Sequence, residues 1–256
     1  MNSSVWQKFN DKLQNLLRKS FLGFNGYWLV GFLVVYVGFL GLDLINHGSV
    51  YVTYLKYSGL LLCAAYVAMM GDFSLKNLEK INKKENNSEK YYKNLMLMIA
   101  FLLTLISDMM LIIDKQAPIG VLVFCFVQIF HLGRTIKFNK ITFTVFATAI
   151  AVAAILWLKN APLIYIFGFV YACLISSNLY FAYKWFVVDK KNLLARLTVI
   201  GFLLFICCDI CVGLSYLSSV AGVIGEPING MYDYLAWLFY LPAQILLAGS
   251  VIKEDK

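Results

Sequence analysis

Apolar runs close to twenty residues long recur along this chain, separated by short segments that carry almost all of its basic residues. A helix rises 1.5 Å per residue, so about 20 apolar residues cross a hydrocarbon layer of about 30 Å. Eight runs meet that length: 28–46, 51–70, 95–113, 117–134, 141–158, 162–186, 196–218 and 232–252. Within lipid each backbone N–H and C=O needs a partner inside the span, so runs of this length read as helices. Pro118 and Pro162 fall in the first turns of the fourth and sixth runs, where proline is tolerated. A re-entrant fourth run is the alternative to eight full spans.

Composition supports the same reading. Hydrophobic residues make up 61% of the chain and charged residues 14%, with mean hydropathy +0.74. Soluble domains average about 45–50% apolar and about 25% charged residues. Too few charges remain to coat a water-facing surface, which excludes a soluble enzyme, a disordered chain and a secreted disulfide scaffold. The expected fold is all-α: a polytopic membrane bundle of eight transmembrane helices in one domain, residues 28–252. A tail, 253–256, follows it.

The basic residues set the topology. Of 22 Lys and Arg, only Lys115 and Lys159 fall in segments on one side, and only Lys56 lies in a span away from its inner end, where Arg134, Lys184 and Arg196 stand. The other nineteen share the opposite side, including Lys76, Lys80, Arg134, Lys137, Lys190 and Arg196. By the positive-inside rule both termini are cytoplasmic. The net charge of +8 is explained by this placement, so no nucleic-acid partner is expected. Residues 1–27 interleave charges with Trp6, Phe9, Leu13, Leu16, Leu17 and Phe21 at helical spacing, as in an amphipathic helix on the inner membrane surface. The absence of retention or transit signals favours a prokaryotic plasma membrane. The one sizeable polar loop, 72–94, is rich in Lys, Asn and Glu and reads as a solvated, partly helical connector. It holds no nucleotide motif, so any chemistry belongs to the bundle. The six cysteines lie in apolar runs and read as small hydrophobes, without disulfide or metal.

Polar residues inside the spans are the functional candidates, because each is costly to keep in lipid. Asp108 in the third span and Asp209 in the seventh each lie about 13 residues from the inner end, or about 20 Å up. Thr104 precedes Asp108 by one turn, and Gly201, Phe205, Asp209 and Gly213 form an i, i+4 stripe. In the eighth span Asp233, Trp237, Tyr240 and Gln244 share a face, with Pro242 placed to kink it. In the fourth, Gly120, Phe124, Gln128 and His131 share a face. Asp43 and Asp233, near span ends, read first as interfacial. Lys56 is either a structural ion-pair partner or a site cation reaching the same outer half as Asp43. His131 reads as structural rather than catalytic, and the tyrosines and phenylalanines as lipid-facing or core. Asp at matching places in the third and seventh spans, and Phe124-x-x-x-Gln128 against Tyr240-x-x-x-Gln244, suggest parallel four-plus-four repeats.

These residues resemble the YhhN family of membrane proteins, which includes lysoplasmalogenases. Ser107-Asp108-Met109-Met110-Leu111 is similar to the family's first Asp motif, with Ser for Gly. Gly120 and Phe124 resemble the next element, and Gly201, Phe205, Cys208 and Asp209 the second Asp motif, with Cys for Ser. Tyr240 and Gln244 resemble the last. Lys56 is similar to an early family Lys, though Tyr57 stands where a Pro is expected. The family's His in the fourth span falls on Gln128, and the following Tyr on His131.

The resemblance implies hydrolysis of the vinyl ether of a lysoplasmalogen, giving a fatty aldehyde and a glycerophospho-headgroup. Such ethers are protonated at carbon, water adds to the oxocarbenium ion, and the hemiacetal collapses. Two carboxyls suit this, one protonated to donate and one ionised to stabilise the cation and orient water, as in glycoside hydrolysis. Asp108 and Asp209 are the expected catalytic pair. Lys56, Gln128, Tyr240 and Gln244 are the expected substrate-binding residues, with Lys56 toward phosphate and Tyr240 and Gln244 toward water or glycerol. No metal or other cofactor is expected, and the partner is a lysophospholipid-like membrane lipid. A small-solute or proton-coupled transporter and a non-catalytic lipid-binding protein are the alternatives.

Overall fold

A computed structural model describes residues 26–45, 49–71, 73, 85–113, 117–135, 151, 153–221 and 226–252. Seven long helices are described: α1 (Gly26–Ile45), α2 (Val50–Met70), α3 (Glu85–Asp108), α4 (Ala117–Thr135), α5 (Leu163–Val188), α6 (Leu193–Ala221) and α7 (Glu226–Gly249). A π-helical turn, Met109–Ile113, extends α3. Six of the helices, α1 to α6, are long and apolar enough to cross a membrane. Together with the many exposed large hydrophobics, such as Val34, Val37, Leu61 and Ile210, they make this an integral membrane protein.

Two of the eight expected spans stand differently. The run 141–158 lies mostly outside the described residues, which include only a helical stretch at 153–158 and residue 151. Helix α7, the expected eighth span, is not among the six: Asp233, Pro242, Gln244 and three tyrosines lower its hydropathy. It is nevertheless fully integrated into the bundle, packing on α6, α2 and α1. The amphipathic segment 1–27 lies outside the described residues except for Gly26 and Tyr27, which begin α1. Helix α3 begins at Glu85, so the later part of the 72–94 connector is helical, with Lys93 and Glu89 paired at 2.7 Å one turn apart.

The local signals explain the ends. Ser49 caps α2 by accepting from Tyr51 N at 3.3 Å, and Asn192 caps α6 by accepting from Leu194 N and Ala195 N at 3.0 and 3.3 Å. Pro162 sits immediately before α5, where its missing N–H costs nothing. The stretch 153–158 closes with Asn160 at φ 55°, Ala161 N donating to Leu156 O and Asn160 N to Trp157 O, a Schellman closure that asparagine tolerates.

Helices α2 to α7 close a ring. Each packs on the next, and α7 returns to α2; α1 lies outside, against α2 and α7. Small residues permit the closest crossings. A Cβ on Gly201 would stand 2.9 Å from Leu247 Cγ on α7, and one on Gly120 would stand 2.5 Å from Leu111 Cγ in the π turn. Ser107 tightens that second crossing by donating to Gly120 O at 2.6 Å. Pro242 removes the N–H that would otherwise bond Leu238 O, four residues earlier. Tyr36 of α1 supplies the missing donor at 3.0 Å.

One end of the ring is pinned by polar groups. Asn94, in the first half of α3, donates to Gly71 O (3.2 Å) and Ile252 O (2.9 Å) and accepts from Ile252 N (3.0 Å). Arg134 at the end of α4 donates to Ser250 Oγ (3.0 Å) and Ser250 O (2.9 Å). This end holds the segments expected to face the cytoplasm. Arg134, counted in the sequence among basic residues outside the spans, is buried here and ties α4 to the end of α7.

Candidate functional site

The chemistry-bearing residues gather inside the ring, toward the end opposite the Asn94–Arg134 pins. Asp108, in the last turn of α3, is buried, and its Oδ2 accepts a hydrogen bond from Tyr240 of α7 at 2.5 Å. Asp209, on α6, is half-buried, and its Oδ2 accepts from Tyr171 of α5 at 2.8 Å. Two carboxyls are therefore each held by a phenol from a different helix. Cys208 lies within electrostatic reach of both carboxyls, and Tyr171 of Tyr240.

Aromatic rings fill the space between the pairs. Phe124 packs edge-on against Tyr171 (6.0 Å between centroids) and Phe205 (6.1 Å), and Phe205 against Tyr240 (5.4 Å). Such a lining raises the energetic weight of every polar contact within it. Tyr57 of α2 donates to Leu105 O at 3.1 Å and stands within electrostatic reach of Asp108. The π turn begins directly after Asp108. Such turns occur often at functional sites.

The remaining expected site residues fall into three places. Lys56 is buried and paired with Asp43 at 3.1 Å. Its ammonium also lies over the rings of Trp237 (5.0 Å) and Phe39 (5.9 Å), and Trp237 packs on Tyr240 at 5.2 Å. Asp43 is thus a buried residue, 2% exposed, facing the cation on the next helix. Asp233 is exposed and accepts from Ser215 at 3.2 Å. Gln128 of α4 accepts from Asn178 Nδ2 through both its backbone and side-chain oxygens, each at 2.9 Å. Gln244 lies one turn from Tyr240 and is fully buried. His131 is buried between Phe101 (6.5 Å) and Phe202 (5.4 Å).

Tyr171 and Asn178 were missed. They stand seven residues apart, two turns on one face of α5, alongside the buried Leu174 and Ile175. An asparagine at that spacing inside a span was the available signal, since a polar side chain in lipid usually faces another helix. The two carboxyls are also not served by equivalent residues. Tyr240 would correspond to Phe124 in a four-plus-four repeat, yet Phe124 has no hydroxyl and Asp209 takes its phenol from α5. Among the described residues no group of three or more His, Cys, Asp or Glu side chains is placed to hold a metal ion.

The model of one protein family, described as the YhhN family, matches residues 53–251. That stretch runs from the first turn of α2 to the pinned end beyond α7, which is the closed ring; α1, with Asp43, precedes it. No curated protein and no solved structure matches the chain.

Proposed function

The chain belongs to the YhhN family, and from that premise we propose that it is a membrane-embedded hydrolase that cleaves the vinyl ether of lysoplasmalogens. The family includes lysoplasmalogenases. The observation that carries the reading is the pair of carboxyl–phenol contacts, Asp108 with Tyr240 and Asp209 with Tyr171, inside one aromatic-lined ring.

The reaction asks for a proton donor, a stabiliser of positive charge and a route for water. One aspartic acid gives its proton to the alkenyl carbon remote from the ether oxygen, and the C=C pair becomes the new C–H bond. The adjacent carbon is then an oxocarbenium ion, faced by the second, ionised carboxylate. Water adds to that carbon and loses a proton to a carboxylate. The hemiacetal C–O bond breaks, the glycerol oxygen takes a proton, and the aldehyde forms. Water is consumed once and no electrons are exchanged. A charged transition state gains most from fixed dipoles in a water-poor site. Tyr171 and Tyr240 hold one oxygen of each carboxyl and so fix the direction in which the other is presented. Tyr240 and Gln244 position the glycerol side. Lys56 draws the phosphate toward the α1 side of the ring, with Asp43 as its resting partner.

The test is aldehyde release from lysoplasmalogen by purified wild-type protein and by Asp108→Asn and Asp209→Asn, with the ester-linked lysophospholipid as control. Release by wild type and its loss in both variants is expected. Full release by both variants would remove the carboxyl pair from the mechanism. No release by folded wild type, with solute flux or proton uptake in vesicles instead, would replace the hydrolase by a transporter.

A further inference from the structure

Below the carboxyl level, toward the pinned end, the ring carries neutral polar side chains whose hydrogen-bonding capacity the described residues use only in part. Gln128, His131, Asn178 and Gln244 are each at most 2% exposed. Among the described residues, Gln128 Nε2, Asn178 Oδ1, both amide atoms of Gln244 and both ring nitrogens of His131 have no hydrogen-bond partner. A buried polar group without a partner costs about 1–3 kcal/mol. Native proteins keep few such groups, and those kept generally mark a water or a ligand.

The unused atoms also specify the chemistry of what they bind. Asn178 spends its amide hydrogens on Gln128, which leaves an acceptor on Asn178 beside a donor on Gln128. Gln244 offers one of each, and a neutral imidazole offers one of each. None of these groups carries a formal charge as an amide or neutral ring. Arg134 lies one turn beyond His131; Ser250 engages both of its terminal nitrogens, and its Nε has no hydrogen-bond partner among the described residues. Mixed donors and acceptors without charge match a group that both donates and accepts. That group is a hydroxyl, and neither a phosphate nor a quaternary ammonium answers to it.

We propose that Gln128, His131, Asn178 and Gln244 form a hydroxyl-binding floor beneath the carboxyl pairs, occupied by water or by the free glycerol hydroxyl of a lysolipid. Its position, one turn from Tyr240 along α7 and two turns from Tyr171 along α5, places it next to the carboxyls that must meet water. Its use in turnover rests on the hydrolase reading; its occupancy does not.

Radiolytic hydroxyl labelling with mass spectrometry reads bound water directly. In lipid-free wild type, His131 and Phe202 are expected to be oxidised several-fold faster than Phe32, which is equally buried but packed between the rings of Trp28 and Tyr66. That result assigns the floor to water. Labelling equal to Phe32, together with several-fold tighter binding of lysoplasmalogen than of its hydroxyl-methylated ether, assigns it to the glycerol hydroxyl. Gln244→Leu and Gln128→Leu should each abolish whichever signal is seen. Equal labelling and equal binding of the two lipids overturn the proposal. All these readouts work in Asp108→Asn, so an inactive protein with a labelled floor separates failure of the hydrolase reading from failure of this one.

Discussion

Tyr240 donates its phenolic hydrogen to Asp108 across 132 residues of sequence, joining α7, the last helix of the ring, to α3. The bond ties the position of a carboxyl to the packing of α7, which carries Pro242 and is steadied by Tyr36. Activity should therefore respond to the phenols as well as to the carboxyls. Asp→Asn at 108 or 209 is expected to lower the aldehyde-release kcat by about 10²–10⁴-fold, the usual span for a proton-transferring group. Tyr240→Phe and Tyr171→Phe remove a hydrogen bond to a charged or proton-sharing group worth about 1.5–3 kcal/mol, so about a 10–100-fold loss is expected. Kinetics on protein of unchanged melting temperature decide the matter; wild-type kcat in both phenylalanine variants would show that the phenols only fill space.

Lys56 and Asp43 form an ion pair with side chains 10% and 0% exposed. Removing one partner of such a pair strands the other, at a cost of about 3–5 kcal/mol. Asp43→Asn and Lys56→Met should each lower the melting temperature in detergent, and the double variant should recover much of the loss. If Lys56 also draws substrate phosphate, Lys56→Met combined with Asp43→Asn should raise KM while stability is restored. An unchanged KM in that double variant confines Lys56 to the ion pair.

Gly120 lies where α4 crosses the π turn that follows Asp108. Gly120→Val should push Leu111 away and displace that turn, an overpacking expected to cost about 1–3 kcal/mol. Because Ser107, beside Asp108, bonds Gly120 O, kcat should fall together with the melting temperature. Gly213→Ala, where a Cβ meets nothing within 4 Å, is the matched control and should alter neither.

Arg134 and Asn94 pin the end of α7. Arg134→Met strands the buried Ser250 carbonyl and Asn94→Leu the partly buried backbone groups of Ile252, so each should destabilise by about 1–3 kcal/mol. Faster hydrogen exchange at Ser250, Val251 and Ile252 would locate the loss there; uniform exchange along α7 would argue against a local pin.

Much of the helical framework was legible because lipid imposes a length rule on it. Six of the described helices lie on apolar runs that length and hydropathy mark directly. Helix α7 was legible by run length, yet it is too polar to stand among those six, because Tyr240, Gln244 and Asp233 sit on it. Asp108 and Asp209 stood out because a charge inside an apolar run is conspicuous. Tyr171 did not, because tyrosine is equally at home facing lipid, a ring neighbour or a carboxyl. Nothing in Met109–Ile113 distinguishes a π turn from an α turn; the register change depends on how α4 lies against it.

The sequence by itself therefore determined the class of protein, the runs that become helices and the residues too costly to keep without a purpose. Those follow from hydrophobic length and from the energy of single side chains, which are local quantities. Only the tertiary structure decided which groups meet: Asp108 with Tyr240, Asp209 with Tyr171, Asp43 with Lys56 and Gln128 with Asn178. Each pair joins two helices. Its existence depends on the order in which the ring closes and on the rotation of each helix about its own axis. A periodic pattern gives the face of a helix and leaves open which neighbour that face will find.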